Sequence, residues 1–297
     1  MATSPLRALK GVRLLSLSLN LPGPAAFMRL HGMGATCVKL EPPAPPTAAN
    51  RSGDPMGQYN PAAYATMHEG MKIVTADLKT STGQKLLHRE LARTDVLLTS
   101  FRPSALDKLG LAWKNLSRVY PTLSQVAIVG AAGKAAEEPG HDLTYMAANG
   151  LIPGLELPPT LYADLGGALM ASEAVLQAVL AQRQGGKGVY IEVALADAAA
   201  WLALARTWGL TLPTGSVGGA HAGYRVYPCK DGRVAVAALE PHFAAAVCAA
   251  AGVPISEMKT MFAPATHRKI GAFFLSQTRA QLDKLAVEKD IPLHSMA

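Results

Sequence analysis

Residues 12–40 read VRLLSLSLNLPGPAAFMRLHGMGATCVKL, and their pattern decides the fold. Residues 12–19 are a short apolar run, the composition of a strand covered on both faces. Leu21-Pro22-Gly23-Pro24 breaks the run, residues 25–31 read as a short helix, and residues 35–40 read as a second strand, stopped by the proline-rich segment 41–46. Strand, helix and strand within about thirty residues has the size of a βαβ unit. Gly32-Met33-Gly34 lies after the helix and before the strand. A dinucleotide fingerprint needs its glycines between a strand and the following helix, where backbone amides meet a pyrophosphate. The expected role of this pair is therefore a helix C-cap.

The alternation continues outward from that unit. Strands are expected at residues 72–78, 95–99, 122–129 and 189–195, with helices at 81–93, 112–120, 165–183 and 196–208. The natural solution is an α/β fold, an open and mostly parallel Rossmann-like sheet in a large domain of residues 1–214. The glycine-rich segment 215–223 reads as a linker. Beyond it, residues 224–228, the turn Lys230-Asp231-Gly232 and residues 233–238 read as a β-hairpin, followed by helices at 241–251 and about 267–289. Residues 224–297 are thus expected to form a smaller α+β domain.

Composition narrows the function classes. The 297 residues carry a formal net charge of +7, with Lys and Arg scattered among acidic residues rather than gathered in a stripe. That distribution argues against nucleic acid as a partner and suits an anionic small molecule. Cys37, Cys229 and Cys248 stand far apart without metal spacing, which favours free thiols in a reducing, cytoplasmic setting. Residues 1–10 lack the apolar stretch of a signal peptide, and helical runs such as 194–205 are too short to span a bilayer, so no membrane partner is expected. There is no Walker A loop, no nucleophile elbow and no histidine spacing that would hold a metal.

Several segments in order resemble one family. They are Leu9-Lys10-Gly11-Val12-Arg13-Leu14-Leu15; Gly34-Ala35-Thr36-Cys37-Val38-Lys39-Leu40-Glu41-Pro42; and Ala76-Asp77-Leu78-Lys79. Then come Asp95-Val96-Leu97-Leu98-Thr99-Ser100-Phe101-Arg102-Pro103, Leu109-Gly110-Leu111, Gly186-Lys187-Gly188 and Glu240-Pro241-His242-Phe243. Together they are similar to the family III CoA-transferase and α-methylacyl-CoA racemase superfamily, the CaiB/BaiF type. The resemblance implies acyl-CoA thioesters as substrates, no cofactor beyond the coenzyme A they carry, and an intertwined homodimer.

Residue by residue, the resemblance points to Asp164 in Leu161-Tyr162-Ala163-Asp164-Leu165-Gly166-Gly167 and to His141 in Gly140-His141-Asp142-Leu143-Thr144-Tyr145. In the transferase branch the aspartate is a nucleophile that takes the acyl group as a mixed anhydride. In the racemase branch it pairs with the histidine, one base on each face of the substrate α-carbon. His141 discriminates the branches in favour of 2-methylacyl-CoA racemisation, and Glu240 resembles a further polar residue of the racemase site. Lys39, Lys72 and Arg102 match basic CoA contacts, expected at the carboxyl ends of parallel strands. By position alone, Asp164 reads first as a helix N-cap and His141 as a structural histidine, and each of the others has a solvated surface charge as its alternative. Family members generally continue past the small domain, whereas this sequence stops at Ala297, which keeps open a non-catalytic CoA-binding paralogue.

Overall fold

The computed structural model describes residues 6–48, 52–254 and 257–297. Residues 1–5, which open both the N-terminal stretch read above and the expected large domain, lie outside the described residues. The chain divides into two compact units, Met1–Ala203 and Leu204–Ala297.

The first unit is a parallel sheet clothed by helices. In chain order it runs β1 (Arg13–Ser16), α1 (Pro22–Gly32), β2 (Thr36–Glu41), α2 (Pro55–Tyr59), α3 (Pro61–Met67), β3 (Lys72–Thr75) and α4 (Ser81–Leu91). It continues with β4 (Val96–Thr99), α5 (Pro103–Lys108), α6 (Trp113–Val119), β5 (Ser124–Val129), α7 (Asp142–Ala148), α8 (Tyr162–Gly185), β6 (Tyr190–Ala194) and α9 (Leu195–Leu202). The strand order is β3-β2-β1-β4-β5-β6, and every pairing is parallel. Successive strand residues face opposite sides, so both faces need cover. Leu14, Val96, Leu98, Val126 and Ile128 join a core with Phe27 of α1 and Ala171, Val175 and Ala178 of α8. Leu15, Val38 and Leu97 join a second core with Leu87 and Leu91 of α4 and Leu116 of α6. Leu97 is fully buried, so Leu97→Ala would cost about 2–5 kcal/mol through lost burial and a cavity.

Two expectations of local structure resolve here. Helix α1 ends at Gly32, and Gly34 adopts φ 96, a left-handed conformation that a side chain would strain. Helix α8 is long and apolar enough by composition to cross a membrane, but half of that apolar window is buried inside the protein. It packs with α1 on one face of the sheet.

The second unit begins with α10 (Leu204–Thr207) and contains an antiparallel sheet, β7-β8-β9, of β7 (Tyr224–Cys229), β8 (Gly232–Ala237) and β9 (Leu293–Met296). Helices α11 (Pro241–Ala250), α12 (Pro264–Leu275) and α13 (Arg279–Lys289) complete it. The expected hairpin is β7–β8. The single helix expected at about 267–289 is two helices. Thr278 interrupts it, because its hydroxyl accepts the Gln281 N–H at 3.3 Å while Gln281 Oε1 accepts the Thr278 N–H at 2.8 Å. That reciprocal box starts a new helix. The glycine-rich segment 215–223 lies within this unit, where Ala222 receives the Tyr227 hydroxyl on its carbonyl at 2.7 Å. Strand β9 carried no sequence signal, since His294 and Ser295 interrupt any apolar run.

Candidate active site

A pocket of about 600 Å³ in the first unit is lined by the segments that leave β1, β4 and β5. Strands β1 and β4 are neighbours, yet the chain proceeds from them to opposite sides of the sheet. Such a topological switch point parts the loops beyond the carboxyl ends of the strands and leaves a crevice there. Asn20 and Pro22 enter the lining from the β1 exit, Arg102 from the β4 exit, and Gly130 from the β5 exit. His141, Asp142 and Tyr145 come from the start of α7, Asp164 from the first turn of α8, and Tyr59 from the end of α2.

Asp164 is not the N-cap of α8. That position is Leu161, which offers no side-chain cap. One of the free amides of the helix start is served instead by Asp142, a buried residue whose Oδ1 accepts the Asp164 N–H at 3.0 Å. Among the described residues the Asp164 carboxylate itself takes no hydrogen bond. It is therefore not spent on holding the fold. Burial pushes its pKa up from 3.8 to about 6, the adjacent Asp142 adds to the rise, and His141 opposes it. A carboxyl group titrating there exchanges protons readily near neutrality and stays nucleophilic when ionised.

His141 sits at the mouth of α7. Its backbone N–H donates to Thr144 Oγ1 at 3.1 Å, and the Thr144 hydroxyl donates back to the His141 carbonyl at 2.7 Å. Tyr145 is seated against two glycines: a Cβ on Gly130 would stand 2.2 Å from its hydroxyl oxygen, and one on Gly140 would stand 2.4 Å from it. Burial raises the Tyr145 pKa and Asp164 raises it further, while Arg102 lowers it. The tyrosine thus feels both the carboxylate and the guanidinium of the pocket.

The structure brings together Asp164, His141 and Arg102 in one pocket, and Lys39 and Lys72 of the same unit lie outside its lining. Lys72 opens β3 at its amino end and is exposed, so the carboxyl-end placement expected for it does not hold. Lys39 lies inside β2 and is 1 % exposed, enclosed by carboxylates rather than facing the pocket. Glu240 belongs to the second unit, exposed at the N-cap position of α11. Asp142 and Tyr145 share the His141 motif but carried no separate signal. Asn20 and Tyr59 had none, because only folding brings their segments to the pocket. Cys37 is no nucleophile, since burial pushes its thiol up to about 12. Among the described residues no three His, Cys, Asp or Glu side chains gather to hold a metal.

The sequence model for CoA-transferase family III matches residues 9–297. The chain belongs to that family. The human alpha-methylacyl-CoA racemase is 28% identical over 92% of this chain and 74% of its own length. The succinyl-CoA–D-citramalate CoA-transferase of Chloroflexus aurantiacus is 31% identical over 64% of this chain and 50% of its own length. This family III chain also superimposes on a crystal structure of a hypothetical protein from Mycobacterium tuberculosis, with a TM-score of 0.81 at 23% identity. That match covers 97% of this chain and 85% of the other, and it shares the fold. A CaiB/BaiF family protein of Brucella suis gives a TM-score of 0.76 at 22% identity, covering 98% of this chain and 84% of the other.

Proposed function

We propose that this family III chain is an enzyme of acyl-CoA thioesters that moves the α-proton of a 2-methylacyl-CoA, with Asp164 and His141 as its acid and base. The observation that carries the reading is Asp164, a carboxylate left free of structural bonds, raised to about 6 and placed in one pocket with His141. One group takes the proton from the α-carbon, the electron pair moves onto the thioester oxygen, and the other group returns a proton to the opposite face. Arg102 contributes a cation to the same pocket and suits the phosphates of coenzyme A. No further cofactor is required by this chemistry.

A second reading is CoA transfer. There the Asp164 carboxylate attacks the thioester carbonyl and the CoA thiolate leaves, forming an aspartyl anhydride. The thiolate then attacks the aspartyl carbonyl and releases the donor acid. The acceptor carboxylate displaces the thiolate to form a second anhydride, from which the thiolate takes the acceptor acyl group and frees Asp164. Transferases among the relatives support it, and it has no use for His141 as a second base. Incubation with a 2-methylacyl-CoA in deuterated water, without acceptor acid, tests the choice. Deuterium at the α-carbon is expected. Acceptor-dependent CoA exchange with no deuterium incorporated overturns the primary reading. We assign the chain to the cytoplasm, on its free buried thiols, and to a homodimer, on the exposed Trp208, Leu210 and Val226 of the second unit. A monodisperse, active monomer in light scattering would remove the dimer.

A further inference from the structure

Lys39 is the most deeply buried cation among the described residues, and its surroundings are built around it. Its ammonium pairs with Asp54 Oδ2, reaches Glu41 Oε2 at 3.6 Å and His68 Nε2 at 3.0 Å, and lies 4.9 Å from the centre of the Tyr64 ring. His68 uses Nδ1–H toward the Tyr64 carbonyl at 2.7 Å, which leaves Nε2 as a lone pair for the lysine. Burial, and next the Lys39 charge, hold the His68 pKa below its ordinary value, so the ring is neutral. Glu41 is occupied on both oxygens, by the Tyr64 hydroxyl at 2.9 Å and the Gly53 N–H at 3.3 Å. A cation this enclosed has no face left for a phosphate.

The other side of the pair leads to the pocket. Asp54 is fully buried, and its Oδ1 accepts two backbone amides, Asn20 N–H at 3.0 Å and Met56 N–H at 2.9 Å. Asn20 holds φ 63, a left-handed conformation that asparagine adopts more readily than most residues and that the bond from its N–H to Asp54 holds in place. Met56 lies in the first turn of α2, for which Asp54 is the N-cap, and the same helix ends on Tyr59. One carboxylate oxygen thereby fixes Asn20 and the start of the helix that carries Tyr59, and both residues line the pocket with Asp164.

We propose that Lys39 and Asp54 are a positioning pair, which locks Asn20 and Tyr59 into the pocket wall without touching substrate. The proposal rests on the acyl-CoA reading only in its kinetic consequence. Two double variants separate positioning from mere stability. Lys39→Met with Asp54→Leu removes the pair and the backbone acceptor, an exchange for apolar groups that proteins often tolerate, and leaves Glu41 to its bonds with the Tyr64 hydroxyl and the Gly53 N–H. Lys39→Met with Asp54→Asn removes the charges and keeps an oxygen for both amides. Lys39→Met with Asp54→Ala serves as a smaller version of the first, read in the same way.

Amide hydrogen exchange and kinetics are measured on all three and on wild type. In the leucine or alanine variant, exchange at Asn20 and Met56 should speed about tenfold or more while the sheet stays protected. In the same variants kcat should fall about ten- to a hundredfold with KM nearly unchanged, the cost of a displaced wall. The asparagine variant should restore both. Unchanged exchange at these two amides overturns the proposal, and so does faster exchange spread evenly over the first unit. An asparagine variant as impaired as the leucine one also overturns it. If wild type turns over no acyl-CoA, the proposed function fails, while the exchange pattern still decides this inference by itself.

Discussion

Asp142 and Asp164 stand carboxylate beside backbone, with Asp142 Oδ1 accepting the Asp164 N–H at 3.0 Å. The bond caps α8 with one acidic residue and so leaves the other acidic residue unspent. It also sets two negative charges close together in a half-closed pocket. Like charges in a poorly solvated site resist simultaneous ionisation, which is why Asp142 adds to the rise that burial imposes on Asp164.

That rise has a defined sign in stability. Asp164 titrates at about 6 in the folded chain against 3.8 ordinarily, so its neutral form is the one the fold favours. Its stabilising contribution is fully present below the unfolded value and is lost as pH rises through about 6. Asp164→Asn should therefore gain stability over wild type between pH 4 and pH 7. After allowance for solvent screening the gain is about 1 kcal/mol, or about 2–4 °C in melting temperature. Turnover should be abolished in the same variant under either proposed chemistry. A melting difference that does not grow with pH would contradict the assignment.

His141→Ala separates the two chemistries. If a second acid/base is needed on the opposite face of the α-carbon, deuterium incorporation should fall by about a hundredfold or more. CoA exchange into an acceptor acid would survive the same substitution if Asp164 acts as a nucleophile alone.

Arg102 is expected to hold phosphate charge. Arg102→Glu should weaken CoA binding by about tenfold or more at low salt, and the difference from wild type should shrink as salt screens the interaction. Titration calorimetry at two ionic strengths reads this directly. Equal affinity for wild type and variant would remove Arg102 from the site.

The seat of Tyr145 predicts a coupled pair. A Cβ on Gly130 would stand 2.2 Å from the Tyr145 hydroxyl oxygen, so Gly130→Ala should force the ring to move. Overpacking of this kind costs about 1–3 kcal/mol. Tyr145→Phe removes the atom in conflict, so the double variant should be markedly more stable than the two single effects summed, and a thermal-denaturation cycle measures the coupling. Additive effects would mean that Gly130 is free of the tyrosine.

Much of the fold was legible in residues 12–40, because the apolar run, the Pro-Gly-Pro break and the glycines after the helix are local signals with local causes. The same holds for the hairpin around Lys230-Asp231-Gly232. The site was legible in Asp164, His141 and Arg102 only through resemblance, since position left each with an ordinary structural alternative. The structure disposes of one alternative, the Asp164 cap, by showing that Asp142 does that work. Lys39 misleads for an opposite reason. A lysine in a strand reads as a surface charge or a ligand contact, and nothing local announces that Asp54, fifteen positions on, will enclose it.

What the sequence determined by itself is the alternation of strands and helices, the parallel sheet this demands, and the family. Periodicity and turn chemistry act over a few residues, so they survive without knowledge of the fold. Tertiary structure alone decided which charges are spent and which are free. Lys39 became internal scaffolding, Lys72 fell at the amino end of its strand, and Asn20 and Tyr59 joined the pocket. Burial and electrostatic coupling depend on what other segments lie over a side chain. Those segments are distant in sequence, and only the assembled sheet with its covering helices brings them together.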